Sequence, residues 1–203
     1  MAERRLPDEI VIRQLVERAL EVVEAGAAPA QAELMGAAGP TGAPDPKTVA
    51  IGADHGGYGL KAVLIKHLRD KGFAVTDCGT NGPDAVDYPD FAHVVARLVS
   101  TGACATGIAI DGAGIGSAMT ANKVPGVRAA NAHDTSMARN AREHNYANVL
   151  TLGARMIGEG MALEITDTFL ATAWGAERHG RRVAKITQIE QQYRNPAGEE
   201  PKR

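Results

Sequence analysis

The sequence predicts an α/β fold, a parallel sheet with helices on both faces, preceded by a separate N-terminal amphipathic helix. Three observations predict it. From residue 48 onward, short apolar runs alternate with stretches of helical periodicity, the pattern of a parallel sheet whose crossovers are helices. Residues 107–126 read as strand, glycine loop and helix, with Gly112, Gly114 and Gly116 at alternate positions just after an apolar run that ends at Asp111. Finally, aromatics are only 4% of the chain while Gly and Ala are plentiful, which suits close helix-on-sheet packing.

Taken in order, residues 8–24 read as an amphipathic helix, with Ile12, Leu15, Val16, Ala19 and Val23 on one stripe at helical spacing. Residues 25–47 hold Pro29, Pro40, Pro44 and Pro46 among glycines and alanines, with little beyond Leu34 and Met35 to bury, and read as a flexible linker. A helix on such a tether is more often a docking element than part of a core. The main domain spans 48–193, and 194–203 are expected to fray. Within the domain, 49–53 is the first strand and 58–71 the first helix, with Leu60, Val63, Leu64 and Leu68 facing in. A strand follows at 73–77 and a helix at 90–101 with Phe91, Val94, Val95 and Leu98 inward. Then come a strand at 107–110, a helix from 117, a strand at 127–131, a helix at 134–143, a strand at 148–152, a helix at 159–173 and a basic helical tail at 178–193. Right-handed crossovers place ligands beyond the carboxyl ends of the strands.

The 203-residue chain has a net charge of −2, so nothing in bulk draws it to nucleic acid or to an acidic membrane. No apolar run is long enough to span a membrane, and no signal core precedes a cleavage site. Cys78 and Cys104 have neither metal-type nor redox-type spacing and read as buried thiols of a reducing cytoplasm. No cluster has metal-ligand spacing, so no metal is expected.

The candidate chemistry gathers at strand ends. Asp54 and His55 close the first strand, on the same side as Asp111. His144 and Asn145 follow a helix and precede the fifth strand, and are expected to reach that side too. His67 and His93 lie within helices and read as surface residues; His133 fits either reading. Arg178 and Arg182 are four apart, hence on one helix face, where paired guanidiniums suit a phosphate; a solvated basic face is the alternative reading.

Six separated motifs then agree in order and spacing: Asp54, His55 and Gly56; Asp87, Tyr88 and Pro89; Gly112 to Gly116 with Ala121, Asn122 and Lys123; Arg142, Glu143, His144 and Asn145; Gly153, Ala154 and Arg155; and Arg178, His179 and Arg182. In this the chain resembles the type B ribose-5-phosphate isomerase family, which includes galactose-6-phosphate isomerase subunits, over residues 48–193. The resemblance implies a Rossmann-like five-stranded parallel sheet and a homodimer, or a tetramer built on it, whose sites draw on both subunits. It implies aldose–ketose isomerisation of a phosphorylated sugar, ribose 5-phosphate to ribulose 5-phosphate, through a cis-enediolate and without cofactor. By position, His144 resembles the acid/base that opens the sugar ring. Asp54, His55 and Asn145 resemble substrate contacts. Gly112, Ala113, Gly114, Ile115 and Gly116 resemble a backbone anion hole, and Arg155, Arg178 and Arg182 a phosphate clamp.

One departure stands out. The family's common cysteine base is replaced by Asp111, and the glutamate of a second family pattern by Ser117. Asp111 is the candidate base; the alternative is a catalytically weak sugar-phosphate-binding homologue or partner subunit, since an aspartate also marks the non-cysteine subunit of galactose-6-phosphate isomerase. Helix, linker and enzyme domain together resemble bacterial microcompartment cargo. That implies a cytoplasmic protein held inside a microcompartment, with shell or cargo proteins as partners through residues 8–24, and neither nucleic acid nor membrane.

Overall fold

The structure is a computed structural model, and it describes residues 44–194. The expected helix at 8–24, the linker up to 43 and the tail from 195 lie outside the described residues. The element order is β1 (Thr48–Ala53), α1 (Tyr58–Asp70), β2 (Ala74–Asp77), α2 (Tyr88–Ser100), β3 (Thr106–Asp111), α3 (Ile115–Ala121), β4 (Ala129–Asn131), α4 (Thr135–Asn145), β5 (Val149–Gly153), α5 (Glu159–Ala171) and α6 (Glu177–Arg194). The five strands form one parallel sheet in the order β2-β1-β3-β5-β4. This is the expected Rossmann-like architecture, and its edge strands are its shortest.

Strand periodicity sorts the core onto two faces. Val49 and Ile51 of β1, Ile108 and Ile110 of β3, and Leu150 and Leu152 of β5 are buried with Leu64 and Leu68 of α1 and Ile165 and Phe169 of α5. The intervening positions face α2 and α3 and are small, so α2 approaches closely: a Cβ at Gly107 would lie 2.6 Å from Cγ1 of Val95, and one at Gly52 3.0 Å from its Cγ2. A bulkier residue at either position would push the helix off the sheet.

The element ends depart from the sequence reading for local reasons. α2 begins at Tyr88 because Pro89 is accommodated in the first turn of a helix. α3 begins at Ile115 because Gly114 takes a left-handed conformation, φ 78°, that starts the helix early. α4 runs on to Asn145 and stops where Tyr146 turns left-handed, φ 52°. Two polar residues are drawn inward by carboxylates, one of them against expectation. Lys61 is buried on α1 because its ammonium pairs with Asp77 at the end of β2. His67, expected at the surface, is partly buried, with Nε2 2.8 Å from Oδ1 of Asp167 on α5, and Lys71 reaches the other oxygen of that carboxylate at 2.6 Å. Cys78 and Cys104 are buried free thiols; burial pushes both up from the ordinary thiol range. No described helix is long and apolar enough to cross a membrane.

Candidate active site

Three loops meet at the carboxyl end of the sheet. After β1, the Asp54 N–H donates to the Ile110 carbonyl at 3.1 Å and its Oδ1 accepts from the Gly57 N–H at 3.0 Å, so the turn is stitched to β3. A Cβ at Gly57 would meet Cγ2 of Ile110 at 2.7 Å, so only glycine allows this approach. His55 is exposed on the turn, with Nδ1 3.3 Å from the backbone of Val86. After β5, the N–H groups of Ala154 and Arg155 donate to the carbonyls of Asp111 and Gly112 at 2.9 and 3.1 Å. The Arg155 guanidinium lies across both other loops: Cβ atoms built at Gly56 and Gly112 would each come within 3.9 Å of its nitrogens. The structure thus brings together Asp54, His55, Asp111, the 112–116 loop and Arg155. Two residues not assigned to the site from sequence frame it. The Tyr88 ring covers Gly116, where a Cβ would lie 2.5 Å from it, and Asn131 Nδ2 donates to the Ala113 carbonyl at 3.2 Å.

Asp111 sits at the centre of the loop and is buried. Its Oδ1 accepts from the N–H groups of Ala113, at 2.8 Å, and Gly114; its Oδ2 accepts from the Ser117 N–H at 2.8 Å. Burial pushes the carboxyl upward, but the Ser117 hydroxyl, the Ser117 N–H and the two loop N–H groups together outweigh it and hold Asp111 below the usual carboxylate range. The carboxylate therefore takes up part of the backbone the sequence assigned to an anion hole. Among the residues of that loop, Gly112, Ile115 and Gly116 have N–H groups that Asp111 does not engage.

His144 and Asn145 lie elsewhere. They were expected at the carboxyl end of the sheet, but α4 returns antiparallel to the strands and ends where β5 begins, at the amino end. Arg128, immediately before β4, donates through Nε to the carbonyls of Asn145 and Tyr146 at 3.2 and 2.9 Å, which fixes that turn at the start of β4 and β5. The rise of β5 from Val149, beside Gly107, to Gly153, beside Asp111, is four residues, about 13 Å. A helix preceding a parallel strand always ends this way, so the connectivity already implied it.

A second constellation forms at that amino end. The His144 ring stacks on the His179 ring of α6, with centroids 4.2 Å apart and planes 6° from parallel. Arg178 and Arg182 flank His179 on the same helix, and Nδ1 of His144 lies 3.1 Å from Asn140 Nδ2. The Tyr146 hydroxyl donates to the Gly175 carbonyl at 2.9 Å, and its ring stacks on Trp174 at 4.9 Å, so the turn after α4 and the segment leading into α6 form one block. Arg142 braces it by donating to the carbonyls of Thr172 and Ala147 at 3.1 and 2.7 Å. The sequence named His179 only as part of a motif. Its i, i+4 spacing to Val183, the other buried residue of α6, was the signal that it points inward.

Among the described residues, no group of three or more His, Cys, Asp or Glu side chains could hold a metal ion.

The family model described as Ribose/Galactose Isomerase matches residues 49–186. The ribose-5-phosphate isomerase B of Escherichia coli is 40% identical over 145 residues, 71% of this chain and 97% of that protein. A solved ribose-5-phosphate isomerase B of Clostridium thermocellum superposes with a TM-score of 0.71 at 49% identity, covering 72% of this chain and 99% of that one. The Mycoplasma genitalium enzyme, solved with ribulose 5-phosphate bound, gives a TM-score of 0.69 at 42% identity, covering 71% and 96%.

Proposed function

Because the chain belongs to the Ribose/Galactose Isomerase family and is a sugar-phosphate aldose–ketose isomerase, we propose that its substrate pair is ribose 5-phosphate and ribulose 5-phosphate and that its working form is a homodimer. The observation that carries this is the division of the candidate residues between the two ends of one sheet. The loops bearing Asp54, His55, Asp111 and Arg155 lie at the carboxyl end, and His144, Asn145, Arg178 and Arg182 belong to the block at the amino end. A pentose phosphate is too short to touch both groups within one chain. A second copy that lays its His144 block against the first chain's glycine loop completes the site.

In such a site His144 moves the proton between the C1 hydroxyl and the ring oxygen of the furanose. A base then carries the C2 proton to C1 while free loop N–H groups hold the enediolate oxygens. Arg155 of one chain with Arg178 and Arg182 of the other grip the phosphate, whose binding energy positions the reacting carbons. Asp111 is the proposed base. Of the donors that hold it, the Ser117 hydroxyl is the one that can rotate away and free a lone pair while the backbone contacts remain. The proposed location is the cytoplasm, inside a microcompartment; the amphipathic pattern of residues 8–24 and the Pro/Gly/Ala linker support it.

The test is a substrate panel with the purified full chain. Ribose 5-phosphate should give ribulose 5-phosphate. 2-Deoxyribose 5-phosphate should compete but not react, since an enediol needs the C2 hydroxyl. Turnover of galactose 6-phosphate with none of ribose 5-phosphate would overturn the substrate assignment.

A further inference from the structure

We propose that His179 is a positioning residue for sugar-ring opening: its imidazole is the wall that fixes the plane of the His144 ring. The proposal rests on the assignment of ring opening to His144. Ring opening requires a proton to leave the C1 hydroxyl and another to reach the ring oxygen as the C1–O bond breaks, so the direction of the His144 nitrogens decides whether transfer occurs.

His144 has little else to orient it. It stands at the last turn of α4 with its side chain 42% exposed, Asn140 Nδ2 3.1 Å from Nδ1, and Glu143 Oε1 3.8 Å from Nε2. Contacts at the rim leave the ring free to tilt. The stacked His179 ring, nearly parallel at 4.2 Å and 6°, removes that freedom through its whole face.

His179 itself is only 4% exposed, and neither ring nitrogen has a hydrogen-bond partner among the described residues. Burying two unsatisfied polar atoms costs stability that a leucine at the same place would not cost. The ring is instead suited to a face-on contact. Burial, and then the positive charges of His144, Arg178 and Arg182, disfavour its protonation, with the Glu143 carboxylate acting in the opposite direction. A neutral His179 can stack on His144 without two imidazolium rings repelling each other. Because it lies between Arg178 and Arg182, the same helix also sets the distance from ring opening to phosphate.

The experiment separates ring chemistry from enediolate chemistry. Ribulose 5-phosphate has no free C5 hydroxyl to close on its C2 carbonyl, so it is open-chain, and exchange of its C1 hydrogen with D2O needs no ring opening. In His179→Ala, kcat from ribose 5-phosphate should fall about tenfold to a hundredfold with KM nearly constant, because a misdirected catalytic group costs on that scale. Exchange at C1 of ribulose 5-phosphate should stay near the wild-type rate. His179→Phe, which restores a flat ring, should recover most of kcat. Should His179→Ala fail to fold, His179→Leu fills the space without a flat ring and carries the same expectation. Parallel loss of exchange and conversion, a KM rise at constant kcat, or a Phe variant no better than Leu would each overturn the proposal. His144→Ala, run alongside, distinguishes the failures. If it converts ribose 5-phosphate as well as wild type, the assignment of ring opening falls; if it fails while His179→Ala does not, only the role of His179 falls.

Discussion

Two variants that are each inactive should restore activity when they share a dimer. Asp111→Asn disables the loop at the carboxyl end of the sheet, and His144→Ala disables the block at the amino end, four residue rises of β5 away. If one site takes its loop from one chain and its His144 block from the partner, a mixed dimer holds one site with both changes and one with neither. The purified heterodimer should then show about half the activity of the wild-type dimer, and an equimolar random mixture about a quarter, because half of its dimers are mixed and each has one intact site of two. Each variant alone should lie roughly 10²- to 10⁴-fold below wild type, the usual scale for loss of a general acid or base. The assay is ribulose 5-phosphate formation after co-expression of two differently tagged chains and tandem purification. A heterodimer no more active than its parents would refute the shared site and require the two ends of the sheet to serve one chain. An Asp111→Asn homodimer as active as wild type would remove Asp111 from proton transfer.

Other measurements follow from the same contacts. Asp111 is held below the ordinary carboxylate pKa of about 3.9, so the acid limb of kcat should lie below that value, and Ser117→Ala, which removes a donor to the charged form, should move the limb upward. The sign for stability agrees: a depressed native pKa adds stability above the unfolded value that is lost as pH falls through the native one, and an acid titration of Ser117→Ala should show less of that loss. Asp77→Asn leaves the Lys61 ammonium buried without its partner and should cost about 3–5 kcal/mol in urea unfolding, whereas Lys61→Met should be nearly neutral. Deleting residues 1–47 should leave turnover and Tm nearly unchanged, since the family match begins at residue 49. Residues 1–47 fused to a fluorescent protein should co-localise with microcompartment shell proteins, and Leu15→Glu in the fusion should abolish that; a truncation that unfolds would place the segment in the core.

The strands and helices were legible because their signals are local. The alternation of Val49 and Ile51 with Ala50 and Gly52 specifies two faces of a strand, and it specifies them correctly without knowledge of what packs there. The glycine loop was legible for the same reason, since Gly114 announces its left-handed turn in the sequence. Lys61 and His67 were not, because each is drawn inward by a carboxylate distant in sequence, Asp77 and Asp167. Helical spacing counts apolar residues and is blind to such a partner.

The candidate residues could be named from the sequence, but their arrangement could not. Each motif identified a chemical group, and the agreement of six motifs identified a family, yet neither says at which end of the sheet a group stands. For Asp54, Asp111 and Arg155 the answer follows from their following a strand. For His144 and Asn145 it follows equally from their preceding one, and it places them at the opposite end. What a single chain separates by the height of its sheet, two chains related by a twofold axis can bring together, because each then offers its amino-end block to the other's loop. The same rule explains why Asp111 needs so many donors. A carboxylate at the end of a buried central strand must be satisfied by its own chain before any partner arrives, and Ala113, Gly114 and Ser117 do this. Within one chain the Asp111 carboxylate is therefore already satisfied, and in the proposed dimer the partner would have only to add its His144 block.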